Sequence, residues 1–128
     1  MLSIAICDDE EYFRTTEKKL ISKYMAGKNC ECMIDMYESG KELLALRSAI
    51  SQYNIIFLDV NMEEIDGIET AKEIRKISKD VFIVFVTAFI TYALEGYKVD
   101  AVRYLIKDHE SLEKAMTASV KFYSDNGK

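Results

Sequence analysis

Four residues that could do chemistry stand where apolar segments of this chain end. Asp8 and Asp9 follow one apolar run, Asp59 follows a second and Lys107 follows a third. Carboxylates that lie close together repel one another and raise each other's pKa unless a cation lies among them. These residue types therefore predict a site that binds a hard divalent cation, Mg²⁺ or Mn²⁺, through oxygen ligands.

Asp59 could act as a nucleophile at such a site. Attack of its carboxylate on phosphorus would give an acyl phosphate, and a metal ion and a lysine ammonium would neutralise the charge on the phosphoryl oxygens. Thr87 follows a further apolar run, and its hydroxyl could donate a hydrogen bond to the same oxygens. The pattern indicates phosphoryl transfer to the protein itself.

Taken singly, each of these residues has a simpler structural explanation. The pair Asp8 and Asp9 could cap a helix, a role worth about 1 kcal/mol. Asp59 could cap a loop, while Thr87 could end a strand and Lys107 could be a surface cation. Their joint position favours the functional interpretation, because the carboxyl ends of parallel strands meet at one edge of a sheet.

The elements that must position these residues alternate between strands and helices. Apolar runs predict five strands and helical periodicity predicts five helices. Right-handed crossovers then give an α/β fold, a doubly wound parallel sheet with helices on both faces, for which we expect the flavodoxin-like strand order 2-1-3-4-5. The predicted strands are residues 2–7, 32–37, 54–58, 81–86 and 101–106, and the predicted helices end near residues 27, 50, 77, 97 and 123.

Local signals mark several helix ends. Ser39 with Glu42, and Asp66 with Glu69, have the three-residue spacing of a capping box at a helix start. Gly27, with Lys28 and Asn29, is predicted to stop the first helix, because glycine takes the left-handed conformation at low cost.

The composition describes one ordinary globular domain. Apolar residues make up 49% and charged residues 30% of the 128 residues, and the net charge is −5. Basic residues do not cluster, which argues against nucleic-acid binding, and no apolar run approaches the about 20 residues of a membrane helix. A cytoplasmic domain is expected. Cys7, Cys30, Cys32 and His109 lack the spacing of a disulfide framework or a zinc site.

The residues at the predicted strand ends also match the motifs of one protein family. These residues are Asp8, Asp9, Asp59, Thr87, Ala88, Tyr104 and Lys107. Together they resemble the receiver domains of bacterial two-component response regulators, over essentially the whole chain. Segments 58–67 and 87–107 are most similar to the LytTR-type subgroup.

The resemblance implies a phosphoacceptor and a metal site. Asp59 matches the aspartate that a sensor histidine kinase phosphorylates. Asp9 matches the main metal carboxylate, Asp8 matches its partner through water, and Asn61 matches a ligand that uses its backbone carbonyl.

The resemblance also implies a switch. Thr87 matches the switch hydroxyl, Tyr104 the aromatic residue that turns inward when the threonine moves, and Lys107 the cation that binds the phosphoryl group. The implied function is a phosphorylation-activated signalling switch, self-phosphorylating and autodephosphorylating rather than a conventional enzyme, that controls an output such as transcription.

Two other functions compete with this interpretation. A degenerate receiver could act as a phosphorylation-independent protein-interaction module. A phosphatase of the haloacid dehalogenase type also uses an aspartyl nucleophile, but its paired aspartates have D-x-D spacing, which Asp8-Asp9 lacks.

Two positions depart from the family pattern. Asp108 stands where proline usually follows the lysine, and a non-proline cis bond costs about 2.5–4 kcal/mol. Either a strained cis bond or a rearranged loop is expected, and the placement of Lys107 depends on which occurs. Glu63 also replaces a common proline. Solvation of its side chain is the simpler explanation, and an acidic residue near the metal could also slow anionic phosphodonors.

The output surface and the domain limits complete the expectations. In receivers the usual output face is formed by the fourth helix, fifth strand and fifth helix, here with Tyr92, Tyr97, Val102 and Tyr104, and ordinary packing is the simpler explanation for each residue. That face predicts a phosphorylation-dependent homodimer.

Residues 1–124 are expected to form the receiver domain and 125–128 a tail or the start of a linker. We favour one domain of a longer regulator, with DNA contacted only through an effector domain outside this chain.

Overall fold

The computed structural model describes residues 1–88, 103–107 and 112–126, and these form a five-stranded parallel sheet with helices on both faces. The sheet order is β2-β1-β3-β4-β5. The strands are β1 (Leu2–Cys7), β2 (Cys32–Tyr37), β3 (Ile55–Asp59), β4 (Phe82–Thr87) and β5 (Arg103–Ile106). Numbered among the described residues only, the helices are α1 (Glu11–Gly27), α2 (Gly40–Leu44), α3 (Gly67–Ile77) and α4 (Leu112–Asn126), with a 3₁₀ helix at Arg47–Gln52. The predicted fold class and strand order are confirmed.

Two hydrophobic clusters hold the helices to the two faces of the sheet. Side chains alternate along β1, so that Ala5 and Cys7 belong to one cluster and Ile4 and Ile6 to the other. The first cluster also contains buried residues of α3, and the second contains buried residues of α1 and α4. Strand β3 is buried along its whole length, as expected for a central strand covered on both faces.

Most predicted element bounds agree with the structure to within a residue or two. Strands β1 and β2 have the predicted bounds, and β3 and β4 begin and end one residue later than predicted. Strand β5 is described from Arg103, and helix α4 extends three residues beyond the predicted end, to Asn126. The fourth predicted helix, residues 89–97, lies outside the described residues.

The end of α1 corrects one prediction. Gly27 is the last residue of the helix, but it does not have a positive φ. Asn29 has φ 56° instead, and the backbone N–H of Cys30 donates to the carbonyl of Met25 at 3.0 Å. Asparagine tolerates the left-handed conformation better than most residues, so it takes the role expected of the glycine.

The second predicted helix is also interrupted. Ser39 Oγ accepts from the backbone N–H of Glu42 at 3.0 Å, so the predicted cap is formed. The α-helix nevertheless ends at Leu44, and Arg47, with φ 53°, begins a 3₁₀ helix. A positive φ at a non-glycine residue cannot continue a right-handed helix, which explains why the single predicted helix is two shorter ones.

Candidate functional site

Four strands bring their terminal residues to one edge of the sheet. In the parallel register Cys7 pairs with Leu58 and Asp59 pairs with Val86, so Asp8 and Asp59 follow neighbouring positions. At the far strand, the backbone N–H of Lys107 donates to the carbonyl of Thr87 at 2.9 Å. The strand pairings and this hydrogen bond place Asp8, Asp59, Thr87 and Lys107 together at the carboxyl edge of the sheet.

Three carboxylates meet at this edge. One oxygen from each of Asp8, Asp9 and Asp59 lies within 4.8 Å of the others. Asp8 and Asp59 are only 1% and 3% exposed, whereas Asp9 is exposed to solvent. Asp8 Oδ1 also accepts from the backbone N–H of Glu10 at 2.9 Å, just before α1. The N-cap residue of α1 is Glu10, and no side-chain hydrogen bond is made at that cap, so the explanation of Asp8 as a helix cap is wrong. Asp8 faces the acidic cluster instead.

Lys107 reaches the same cluster. Its Nζ atom lies 3.0 Å from Oδ2 of Asp8 and 3.2 Å from Oδ1 of Asp59, and its side chain is 7% exposed. The ammonium also lies over the ring of Phe13, 4.2 Å from the ring centroid. The lysine therefore occupies the site although Asp108 follows it in sequence. The Lys107–Asp108 peptide itself lies outside the described residues.

Burial makes the carboxylates hard to ionise without a cation. Desolvation, reinforced by the charge of Asp8, raises the pKa of Asp59 from 3.8 to about 7. Burial likewise raises the pKa of Asp8, although the Glu10 hydrogen bond and Lys107 oppose this change. For Lys107, burial opposes the ammonium form, but Asp8 and Asp59 together raise its pKa above the ordinary value.

The raised pKa values predict that the metal-free protein loses stability as the pH rises. A carboxyl group with a higher pKa in the folded chain binds more protons when folded, so the free energy of unfolding falls between the two pKa values. For Asp59 that interval runs from 3.8 to about 7. We expect a loss of roughly 2–3 kcal/mol between about pH 5 and about pH 8. Urea titrations in chelator would measure it, and equal stability at both pH values would contradict it.

The cluster fits a hard divalent cation. All three candidate ligands supply carboxylate oxygens, the donor type that Mg²⁺ and Mn²⁺ prefer. Among the described residues, the group facing the buried Oδ2 of Asp8 is the Lys107 ammonium. Because Asp9 is exposed while its two neighbours are buried, one side of the cluster is open to water, which Mg²⁺ usually retains in part.

The loop after β3 fixes the direction of Asp59. The backbone N–H of Gly67 donates to the carbonyl of Val60 at 2.8 Å, which closes the loop at the start of α3. A Cβ at Gly67 would lie 2.1 Å from the carbonyl oxygen of Asp59, so this close approach requires glycine. Asn61 and Glu63 are exposed on this loop. The Glu63 side chain is therefore solvated, and its effect on anionic phosphodonors stays a prediction.

The predicted switch residues are described in part. Thr87 ends β4 and is fully buried, and Tyr104 lies in β5 opposite Phe85. The side chain of Tyr104, together with Tyr92, Tyr97 and Val102, lies outside what the structure describes. The output face predicted from those residues therefore stays a prediction.

Three residues of α1 that do not belong to the sequence motifs also border the site. Phe13 contacts Lys107, and Nη1 of Arg14 donates to the backbone carbonyl of Asp8 at 2.8 Å. Glu17 is 1% exposed, and burial and the charge of Asp8 raise its pKa well above the ordinary value. Glu17 lies four residues after Phe13 and four before Ile21, so helical spacing places it on the same side of α1 as those two apolar residues.

A parallel sheet in this order, with carboxylates after its first and third strands and a lysine after its fifth, defines a class of phosphoacceptor domains. The response regulator receiver domain profile matches residues 4–118. The chain therefore belongs to the response regulator receiver domains, which act as phosphorylation-activated signalling switches and bind Mg²⁺ at an acidic pocket.

Curated relatives share this assignment. The sensory transduction protein LytT of Oceanobacillus iheyensis is 34% identical, over 83% of this chain and 42% of that protein. The sensory transduction protein LytR of Staphylococcus saprophyticus is 30% identical, over 94% of this chain and 49% of that protein. The transcriptional regulatory protein LytR of Staphylococcus aureus is 32% identical, over 80% of this chain and 39% of that protein. The chain thus spans less than half the length of each of these relatives.

Solved structures agree with the fold. The response regulator TrrA of Thermotoga maritima, in complex with Mg²⁺-BeF, is 32% identical with a TM-score of 0.75, over 95% of this chain and 98% of that chain. The chemotaxis protein CheY4 of Vibrio cholerae is 25% identical with a TM-score of 0.73, over 93% of this chain and 98% of that chain.

Within the described part of the chain, no helix is long and apolar enough to cross a membrane.

Proposed function

We propose that this receiver accepts a phosphoryl group on Asp59 from a phosphohistidine of its kinase, in a reaction that depends on Mg²⁺ or Mn²⁺ held by Asp8, Asp9, Asp59 and the backbone carbonyl of Asn61. The observation that carries the proposal is the position of the Asp59 carboxylate. It lies among two further carboxylates and 3.2 Å from the Lys107 ammonium.

The chemistry assigns one task to each residue. A carboxylate oxygen of Asp59 forms a bond to phosphorus while the bond from phosphorus to the donor's nitrogen or oxygen breaks, and the leaving group departs with that electron pair. Lys107 stays at the site as the fixed positive charge beside the transferred group. The Thr87 hydroxyl donates a hydrogen bond to the new phosphoryl group, and its movement starts the conformational change.

The negative charge of the acidic cluster must be neutralised before an anionic phosphodonor can approach Asp59. An anionic donor approaches a site that already contains three carboxylates, and Lys107 alone offsets only one of those charges. A bound divalent cation would supply the remaining positive charge and stabilise charge on the transferring oxygens. Until then, the raised pKa of Asp59 leaves part of the population protonated near neutral pH and unable to attack.

The wider assignments are proposals that rest on the relatives. The S. aureus relative is named a transcriptional regulatory protein, so we infer that the output of this switch is transcription, through an effector domain outside this chain. Residues 1–124 are proposed as the receiver and 125–128 as the start of a linker. A cytoplasmic location, a switch role for Tyr104 and a phosphorylation-dependent homodimer through the predicted output face belong to the same proposal.

Intact mass measurement tests the proposed function. The protein is incubated with acetyl phosphate in the presence of Mg²⁺, and a parallel sample contains a chelator. We expect the mass to increase by one phosphoryl group only when Mg²⁺ is present. If neither sample gains mass, with a known receiver labelled in the same buffer as control, the chain is a degenerate receiver that acts as an interaction module.

A further inference from the structure

We propose that Phe13 is a positioning residue that holds the Lys107 ammonium at the phosphoryl site through a cation–π contact. The inference rests on the proposed function of Asp59 and adds a requirement to it. Phe13 lies in the first turns of α1, four residues after Asp9 and far from Lys107 in sequence. No motif at the strand ends includes it.

The contact has the geometry of a strong cation–π interaction. Nζ of Lys107 lies over the ring at 4.2 Å from the centroid, well inside the roughly 6 Å limit for such contacts. The lysine side chain is 7% exposed and the phenylalanine is half-buried. Cation–π attraction is stronger where the cation is desolvated, so this contact belongs to the stronger kind.

The site needs an attraction for Lys107 that is independent of its carboxylates. Lysine has a flexible four-carbon stem, and holding its ammonium in one place costs conformational entropy. Without a metal ion, Asp8 and Asp59 hold the ammonium at 3.0 and 3.2 Å. A divalent cation at the same carboxylates weakens both ion pairs and repels the ammonium. The neutral ring face retains its attraction in either state.

The ring also compensates for the position after Lys107. Within the described residues, the lysine backbone is fixed by the hydrogen bond from its N–H to the carbonyl of Thr87. Asp108 supplies none of the rigidity that a proline would give by its fixed φ. The Phe13 ring therefore restrains the Lys107 side chain at its ammonium, the group that must stay beside the phosphoryl site.

The test distinguishes the effect of the Phe13 π face from the effect of its apolar volume. Phe13→Leu keeps an apolar side chain without a π face, and Phe13→Tyr keeps the face. We expect Phe13→Leu to slow phosphorylation by acetyl phosphate and Mg²⁺ about tenfold, and Phe13→Tyr to stay within about twofold of the original rate. Phe122→Leu is the matched control, since it removes a ring that lies 5.2 Å from the Arg103 guanidinium, away from the site.

A second measurement needs neither phosphodonor nor metal. We expect the ring current of Phe13 to shift the NMR signals of the Lys107 ε-methylene protons upfield in the metal-free protein. We expect the shift to persist in Phe13→Tyr and in Phe122→Leu, and to disappear in Phe13→Leu. Its absence from the original protein would overturn the inference.

The outcomes distinguish the two proposals. If the original protein is labelled and Phe13→Leu is labelled equally fast, the positioning role is wrong while the proposed function stands. If the original protein takes up no phosphoryl group, the proposed function is wrong and the positioning role falls with it. A rate lowered equally in Phe13→Leu and Phe13→Tyr would assign the effect to packing and overturn the inference.

Discussion

The Asp59→Asn variant is expected to take up no phosphoryl group and to be more stable than the original protein when both are metal-free. An amide is a poor nucleophile, so the acyl phosphate cannot form. Near pH 8 the original Asp59 carboxylate is ionised beside Asp8, although burial opposes its charge. Asparagine has the same shape without that charge. We expect the free energy of unfolding to rise by roughly 1–3 kcal/mol.

Asp66→Asn is the matched control for this change. Asp66 caps α3, where its Oδ1 accepts from the backbone N–H of Glu69 at 2.9 Å. Asparagine is as good a helix cap as aspartate, so neither labelling nor stability should change. Intact mass and urea titration measure both effects. If Asp59→Asn is still labelled while Asp66→Asn behaves normally, another carboxylate of the cluster accepts the phosphoryl group.

The sequence predicts the chemistry of this site well because the chemistry lies at strand ends. An apolar run that stops at Asp59 defines both a buried strand and the place where its last side chain emerges. Parallel strands then bring Asp8, Asp59, Thr87 and Lys107 to one edge without any information about long-range contacts. The acidic cluster therefore follows from local patterns once the flavodoxin-like strand order is assumed.

The features that the sequence did not predict depend on packing between distant elements. Phe13 reads as an ordinary core residue of an amphipathic helix until the ammonium of Lys107 is placed over its ring. Glu17 occupies a position of the same helix where the hydrophobic pattern predicts an apolar residue, so the pattern alone gives it no role. The left-handed conformation lies at Asn29 rather than at the Gly27 that ends α1, and at Arg47 where the 3₁₀ helix begins, although neither residue is the glycine that usually signals it.

The site is built at a cost to stability. Asp8, Asp59 and Glu17 are buried carboxyl groups whose pKa values are all raised by burial. Buried charge that is not fully paired lowers the stability of a fold, and such costs are concentrated at functional sites. In the metal-free protein, the two buried carboxylates of the cluster, Asp8 and Asp59, both pair with Lys107. The state of that lysine therefore controls stability and reactivity together.

Replacing Lys107 with methionine is expected to lower stability and reactivity by different mechanisms. Methionine keeps the apolar stem but leaves Asp8 and Asp59 without the cation at 3.0 and 3.2 Å. Removing one partner from a buried ion pair typically costs about 3–5 kcal/mol. We expect a loss of that size near pH 8 in chelator, and a smaller loss near pH 5, where protonation relieves the repulsion.

Adding Mg²⁺ should separate the two effects of Lys107→Met. A cation at the cluster replaces the lost positive charge, so Mg²⁺ should raise the free energy of unfolding more in the variant than in the original protein. It cannot replace the fixed ammonium beside the transferring group, so phosphorylation should remain about 100-fold slower even in saturating Mg²⁺. Lys121→Met, which removes only the exposed ion pair with Asp125, is the control and should change neither property. Full recovery of the phosphorylation rate by Mg²⁺ would show that Lys107 acts only by balancing charge in the resting fold.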